Sequence, residues 1–359
     1  LWMWLTGVFG MATKYSEVYA AVKYRVKDSN GEMHGGAMYA WRRAFVRPDG
    51  SIPWWAKLGS VAFALFAGVA SLGIGSAVQS SSMAGVIDSN FPGIPMWALG
   101  LAIVIMVSIV IFGGVKVISR VCEKLVPFMA IAYVWGCVVI IGMNWEYVWP
   151  AVKLIFECAF TAKAAFGGAV GSGIMLALQF GCARGLFSNE AGMGSTPHAH
   201  AVAKVKYPAQ QGFVAIIGVF VDTFIVLNMT AFVIFVTNSI DGSTTGIALT
   251  QKAFESGLGS FGITFVAICL FFFAFSTIIG WYFFGEQNIK YLFGTKGTTP
   301  YRLIVMGFIV LGSVLQVDLV WELADMFNGL MVLPNLIALI GLSKIVSMAL
   351  RDYDVNNPR

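Results

Sequence analysis

Long apolar runs recur along this 359-residue chain, and one pair of them is separated by a polar, glycine-punctuated interruption, residues 185–201 (GLFSNEAGMGSTPHAHA). Runs near or above ~18 residues are long enough to cross a hydrocarbon core of roughly 30 Å. Inside that core lipid offers no hydrogen-bond partner, so spanning segments are helices and broken backbone survives only where protein encloses it. A break bearing Ser, Asn, Glu and Gly at membrane depth is therefore the mark of a binding site. Composition agrees: 58% of residues are hydrophobic and 11% charged, against about 25% charged in soluble domains. The chain reads as an integral, polytopic, all-α membrane protein embedded in a lipid bilayer.

The apolar segments predict spans at 1–22, 58–85, 96–117 and 125–143, a broken span over 169–203, and then 209–237, 259–284, 302–317 and 326–348. Their connections alternate in charge. One set holds nineteen of the 23 Lys and Arg: the group from Lys23 to Lys57, then Lys116, Arg120 and Lys124, then Arg184, Lys204 and Lys206, and the residues from Lys290 to Arg302 and from Lys344 to Arg359. The opposite loops hold only Lys153, Lys163 and Lys252, beside Asp88, Glu146, Asp318 and Glu322. By the positive-inside rule the 23–57 loop and the C-terminus are cytoplasmic and Leu1 lies outside. The net charge of +5 is thus loop charge and implies no nucleic-acid partner. Five scattered cysteines without a CxxC pair form neither a disulfide framework nor a zinc signature. Residues 151–165 read as an amphipathic stretch at the outer interface. The turn-rich 26–57 loop is expected to carry a short helix near 37–44. Trp54, Trp55, Trp97, Trp145, Trp149 and Trp321 read as interfacial anchors.

Five spans follow from the break onward and four precede it. The chain opens in mid-helix (LWMWLTGVFGMATKY) with no signal-peptide architecture. With one further span upstream the plan is five plus five, and an odd repeat length turns the two halves into opposite orientations, the inverted-repeat plan of many secondary transporters. On this reading 1–143 is the remainder of the first repeat, 144–168 an outer interfacial segment, 169–348 the second repeat and 349–359 a cytoplasmic tail. The first core helix is then missing, and a chain lacking it is not expected to transport by itself.

Several blocks resemble the alanine-or-glycine:cation symporter family, the bacterial and archaeal sodium:amino-acid symporters: WMWLTGVFGMATKYSEV (2–18), FGCARGLFSNEAGMGSTPHAHA (180–201), GVFVDT (218–223), FAFSTIIGW (273–281) and ELADMFNGLMVLPNLIAL (322–339). The family usually carries an apolar residue where this chain has His198, whereas His200 matches. The resemblance implies a LeuT-like fold, location in the cytoplasmic membrane, and symport of L-alanine, glycine or similar small neutral amino acids with Na⁺ as the coupling ion and no other cofactor. No sequence feature assigns an oligomeric state.

The residues divide into three groups. At the break, Phe187, Ser188, Asn189 and Gly192 are candidate substrate ligands, because free amides after a break suit a carboxylate and free carbonyls before it suit a cation; an ordinary cytoplasmic turn is the alternative. Arg184 and Glu190 read as a structural or gating ion pair. Gln79, beside Gly73 and Gly75, and Gln179 could each bond an amino-acid zwitterion or an adjacent helix. For the cation, the Phe273 carbonyl with the hydroxyls of Ser276 and Thr277 offers hard oxygens on one helical face, a face the LeuT-like fold uses for sodium; local back-bonding to the preceding turn is the alternative. Asp222, near the middle of an apolar span, costs roughly 2.5–3.5 kcal/mol on insertion scales, and reads either as a coupling carboxylate or as a structural hydrogen-bonded acid. Lys14 and Glu17, three residues apart near the cytoplasmic end of the first span, suggest a structural pair or a snorkelling lysine. His198 and His200 lack a matching ligand cluster, so no metal other than Na⁺ is expected. A Na⁺-coupled symporter is the leading reading and an H⁺-coupled one its rival. A channel would need a polar pore ring, and an enzyme convergent catalytic groups; neither is visible.

Overall fold

The computed structural model describes residues 1–28, 31–160, 170–315 and 317–356. It is built of helices: α1 (Trp2–Lys23), α2 (Ala37–Ala44), α3 (Trp54–Ala70), α4 (Val78–Asn90), α5 (Met96–Ile111), α6 (Gly114–Met143), α7 (Val148–Phe160), α8 (Val170–Asn189), α9 (Pro197–Ala201), α10 (Pro208–Phe220), α11 (Leu227–Val236), α12 (Gly246–Leu258), α13 (Ser260–Phe293), α14 (Thr298–Val314) and α15 (Val317–Asn356). Short strands β1 (Val26–Lys27) and β2 (Met33–His34) pair antiparallel, Val26 opposite His34. Six helical stretches among the described residues are long and apolar enough to cross a membrane. The chain is a multi-pass, all-α membrane protein.

Two of those stretches are compound. A π-helical segment, Ser71–Ala77, joins α3 to α4, and another, Val221–Val226, joins α10 to α11. Such wide turns displace backbone partners by one residue and cluster at functional sites; these two adjoin Gln79 and contain Asp222. Helices pack in pairs: α1 on α10, α3 and α4 on α13, α5 on α14. Small residues set the close approaches, as a Cβ on Gly75 would fall 2.1 Å from Trp281 Cβ and one on Gly185 2.2 Å from Thr6 Oγ1. That is how membrane helices associate without a hydrophobic drive between them.

Helix limits depart from the apolar runs in instructive ways. The predicted 125–143 span is the second part of a 30-residue helix that begins at Gly114. Gly114, at φ +71°, turns the corner from α5, and the charged 116–124 segment continues as helix instead of forming a loop. Likewise α13 runs 34 residues, past the apolar limit at 284, because its polar end finds partners. Glu286 accepts from Tyr282 and Arg302, Gln287 meets His34, and Asn288 meets His198. The short helix expected near 37–44 is α2. Of the tryptophans read as anchors, five are exposed at helix ends; Trp321 instead packs against Phe187 and lies beneath Arg184. Of the predicted outer segment 144–168, the part 161–168 lies outside the described residues, as do 357–359 of the tail and Asn30 of the turn-rich loop.

Candidate functional site

The break consists of residues 190–196, between α8 and α9. Three residues adopt left-handed backbone at alternate positions: Glu190 (φ +54°), Gly192 (φ +89°) and Gly194 (φ +76°). The two glycines do so without a Cβ penalty, while Glu190 is strained and must be held by its surroundings. Its carboxylate supplies the hold, since Oε2 accepts from Ser195 Oγ at 2.6 Å and from the Thr196 hydroxyl. Lys14 Nζ donates to Thr196 Oγ1 at 2.7 Å, so threonine bridges ammonium and carboxylate. Asn189 caps the break locally, its Oδ1 accepting from Ala191 N at 3.0 Å.

Two more distant helices complete the cage. Glu17 Oε1, from α1, accepts from Gly194 N at 3.0 Å and from Asn335 Nδ2 at 2.5 Å. Asn335, from α15, also donates to Gly192 O at 2.9 Å. Lys14, Glu17, Asn189, Ser195 and Asn335 are all at most 5% exposed. On the remaining side the π-helical segment presents Asp222, whose Oδ2 accepts from Ser188 Oγ at 2.7 Å, and Thr223, which accepts from Asn189 Nδ2.

A second polar group lies on α13. Ser276 Oγ and Thr277 Oγ1 each donate to Phe273 O at 2.9 Å, placing three hard oxygens within one turn. Phe273 packs edge-on against Tyr133 of α6, and Ser276 approaches Met129. Gln79 Nε2 donates to Ile74 O, a carbonyl of the π-helical segment. A Cβ on Gly285 would fall 2.3 Å from Ser71 Oγ, and Gly75 faces Trp281. These contacts run in opposite senses along α13 and the α3–α4 rod, which pack antiparallel.

The structure thus gathers Ser188, Asn189, Glu190, Gly192 and Asp222 at the break, and Phe273, Ser276 and Thr277 on α13, while Gln79 bonds Ile74 of its own rod. Gln179 joins neither; it is exposed on α8, ten residues before the break ends that helix. Three expectations are corrected. Arg184 pairs with Asp325, at 2.9 and 3.1 Å, and not with Glu190, whose carboxylate lies beyond the end of α8 and accepts from Ser195 and Thr196. That contact, with Trp321, lies near the N-terminal end of α15 and Lys344 near its other end, so Arg184 and Lys344, assigned to one set of loop charges, lie far apart along that helix. Lys14 and Glu17 do not pair with each other; each turns to a different part of the break. Phe187 faces Trp321 and a core containing Phe63, Met193 and Trp281.

The histidines have separate partners. His198 is buried, its Nδ1 at 2.6 Å from Ser195 O and its Nε2 at 3.1 Å from Asn288, while His200 meets Gln211. Among the described residues one group of potential metal ligands converges: Asp28, Glu32 and His34. Its geometry is that of the β1–β2 turn, with Asp28 bonded to Glu32 N and His34. A cavity of about 650 Å³ beside that turn gathers Arg25, Lys27, Lys116, Arg120 and Lys204; it holds none of the residues of the break.

Glu17 and Asn335 were not expected at the site. Glu17 sits in a helix whose i, i+3 spacing pointed to Lys14, and Asn335 lies in an apolar run behind Pro334. An intramembrane amide beside a proline was the available signal.

The chain matches the Sodium:alanine symporter family over residues 1–358. It is 42% identical to the sodium/alanine symporter AgcS of Methanococcus maripaludis, across 96% of this chain and 75% of that protein. It is 38% identical to a probable sodium/glutamine symporter, GlnT, and 37% identical to a putative sodium/proton-dependent alanine carrier, YrbD, both of Bacillus subtilis, across 98% of this chain and 71% and 74% of theirs. A multi-pass helical protein with a polar break in its membrane domain, matched to one family from end to end, is a transporter for amino-acid and cation symport: this chain belongs to the sodium:alanine symporter family.

Proposed function

We propose that the protein couples inward movement of Na⁺ to uptake of a small neutral amino acid, L-alanine or glycine, by alternating access. The observation that carries this is the break. Its left-handed residues 190, 192 and 194 turn backbone groups out of the helical pattern inside a cage of buried polar side chains, which suits a zwitterion whose carboxylate needs amide donors. Ser188, Asn189 and Gly192 are the proposed substrate ligands there, with Phe187 as apolar wall and Gln79 reaching from the opposite rod; Gln179, exposed on α8, would need that helix to turn.

Na⁺ would be held by the Phe273 carbonyl and the Ser276 and Thr277 hydroxyl oxygens. Each hydroxyl spends its proton on Phe273 and keeps lone pairs for a cation. Asp222, bonded to Ser188, would sense occupancy of the break through that contact. Binding of Na⁺ favours the substrate-competent state only by its differential affinity for the two states.

We also infer a LeuT-like plan of two inverted repeats, 1–143 and 169–348, within the cell membrane. Its support is the pairing of α1 with α10, the α3–α4 rod with α13, and α5 with α14: helices at the same place in each half lie together. A cytoplasmic C-terminus is supported by the cavity at which Arg25, Lys27, Lys116, Arg120 and Lys204 meet, charges from three separate stretches of the chain assigned to one side.

The test is uptake of labelled L-alanine into proteoliposomes made with the protein as its gene encodes it, with and without an inward Na⁺ gradient at fixed pH. Na⁺-dependent uptake that falls in Thr277→Ala supports the reading. Uptake indifferent to Na⁺ and driven by a pH gradient would move coupling to Asp222, the one carboxylate of an otherwise apolar rod, and make the protein H⁺-coupled.

A further inference from the structure

Glu17 and Asn335 form a cross-link that the break alone does not require. The carboxylate of Glu17 is 3% exposed. One of its oxygens accepts from two donors, Gly194 N and Asn335 Nδ2, while the other, Oε2, is buried with no hydrogen-bond partner. Asn335, 2% exposed, spans Glu17 and Gly192 O with a single amide nitrogen. The two left-handed glycines are thus held, Gly194 through its N–H and Gly192 through its C=O, and the Gly192 backbone amide also turns toward the Glu17 carboxylate. Gly194 has no room to move toward α15 or α3, since a Cβ there would lie 2.8 Å from Asn335 Cγ and 2.7 Å from Phe63.

Simple helix adhesion is an inadequate account. A buried carboxylate with an empty oxygen is a poor adhesive compared with an apolar pair of the same shape, and both partners address backbone, not each other alone. A helix pair needing only to adhere has no use for an acceptor on one glycine and a donor on the next but one. Two fixed points two residues apart, by contrast, determine the rotation of both intervening peptide planes, which is what aiming free backbone groups at a ligand requires.

We propose that Glu17 and Asn335 are positioning residues that hold Gly192 and Gly194 in left-handed backbone, so that α1 and α15 jointly set the orientation of the substrate-facing peptide groups of the break. This rests on the reading of the break as the substrate site. Neither residue touches substrate; each acts through the backbone it grips. Lys14, bonded to Thr196 from the same helix, fixes the C-terminal end of the segment, so α1 grips the break at two points.

The test combines three variants with two readouts. Asn335→Ala removes both donations, Asn335→Asp sets an acceptor against Glu17 and Gly192 O, and Glu17→Gln together with Asn335→Asp restores a donor facing an acceptor. Hydrogen exchange of the 188–197 amides in detergent-solubilised protein reads the break without transport, and initial uptake rates read KM and Vmax for L-alanine. In Asn335→Ala and Asn335→Asp we expect at least ~10-fold faster exchange confined to this segment and at least ~10-fold higher KM, about 1.4 kcal/mol, with Vmax within threefold. The double variant should recover part of both. Unchanged exchange in Asn335→Ala overturns the proposal, as does faster exchange at unchanged KM, which would leave the contact merely structural. If Asn335→Asp does not fold, Asn335→Ala decides alone. Absence of alanine uptake in the unaltered protein would defeat the functional reading, while the exchange result still judges the grip on the glycines.

Discussion

At the break, the peptide groups of Gly192 and Gly194 are bonded by Asn335 and Glu17, 143 and 177 residues away in the chain. On α13, Ser276 and Thr277 bond a carbonyl three and four residues behind them. Both are polar groups among packed helices, where an unsatisfied group is costly, yet one is satisfied from across the fold and the other within its own turn. The difference separates two roles. A locally satisfied turn is a rigid part whose spare lone pairs change little as helices rock. A segment held by two other helices takes its shape from their positions, and so it changes when they move. In a carrier that alternates between states, the second kind of site is the one that reports the state.

That contrast can be broken at several points. The largest effect is expected at Gly194. Alanine there must hold φ +76° and place a Cβ against Phe63 and Asn335, strain and overpacking each worth about 1–3 kcal/mol. Gly194→Ala should lower the midpoint of thermal unfolding in detergent and abolish alanine uptake; parental stability would show that the cage is looser than described. Next comes Thr277→Ala, which removes one oxygen and a local hydrogen bond. It should weaken Na⁺ activation of uptake at least ~10-fold, about 1.4 kcal/mol, with little change in unfolding midpoint, whereas Thr277→Ser should restore it. A variant that loses stability and Na⁺ activation together would erase the distinction between the two regions.

Asp222→Asn is expected to be intermediate. The amide keeps an acceptor for Ser188, so Na⁺-driven uptake should fall only a fewfold; complete loss with retained protein would assign the charge itself to coupling. The smallest effect belongs to Asp325→Asn. Its bond to Arg184 joins side chains 48% and 37% exposed, and exposed pairs contribute about 0–1 kcal/mol. Arg184 keeps its place over Trp321, 4.8 Å from the ring. Uptake should be near parental, and a large loss would mean that this pair gates the path.

The break was legible because a polar, glycine-rich stretch between apolar runs can only be enclosed backbone. The clustering of three oxygens on α13 was legible for a different reason: i, i+3 and i+4 positions share a helical face whatever else the chain does. Reading stopped where helical periodicity stopped being informative. The spacing of Lys14 and Glu17 suggested a mutual pair, but both reach past each other to the break. The neighbourhood of Arg184 and Glu190 suggested another, but Glu190 lies beyond the end of α8 and its carboxylate is taken by Ser195 and Thr196. The polar end of α13 looked like a loop, since its partners His34, His198 and Arg302 come from elsewhere in the chain.

Hydropathy and loop charge sufficed for an all-helical membrane protein, for the approximate position of most spans and for the location of its break, because lipid admits so few backbone solutions. Which side chains close the cage around that break was decided only when α1, α15 and the π-helical segment at 221–226 came together. A hydrogen bond between residues 318 positions apart, such as that from Asn335 to Glu17, leaves no trace in local pattern; it exists only where packing brings its two ends within reach.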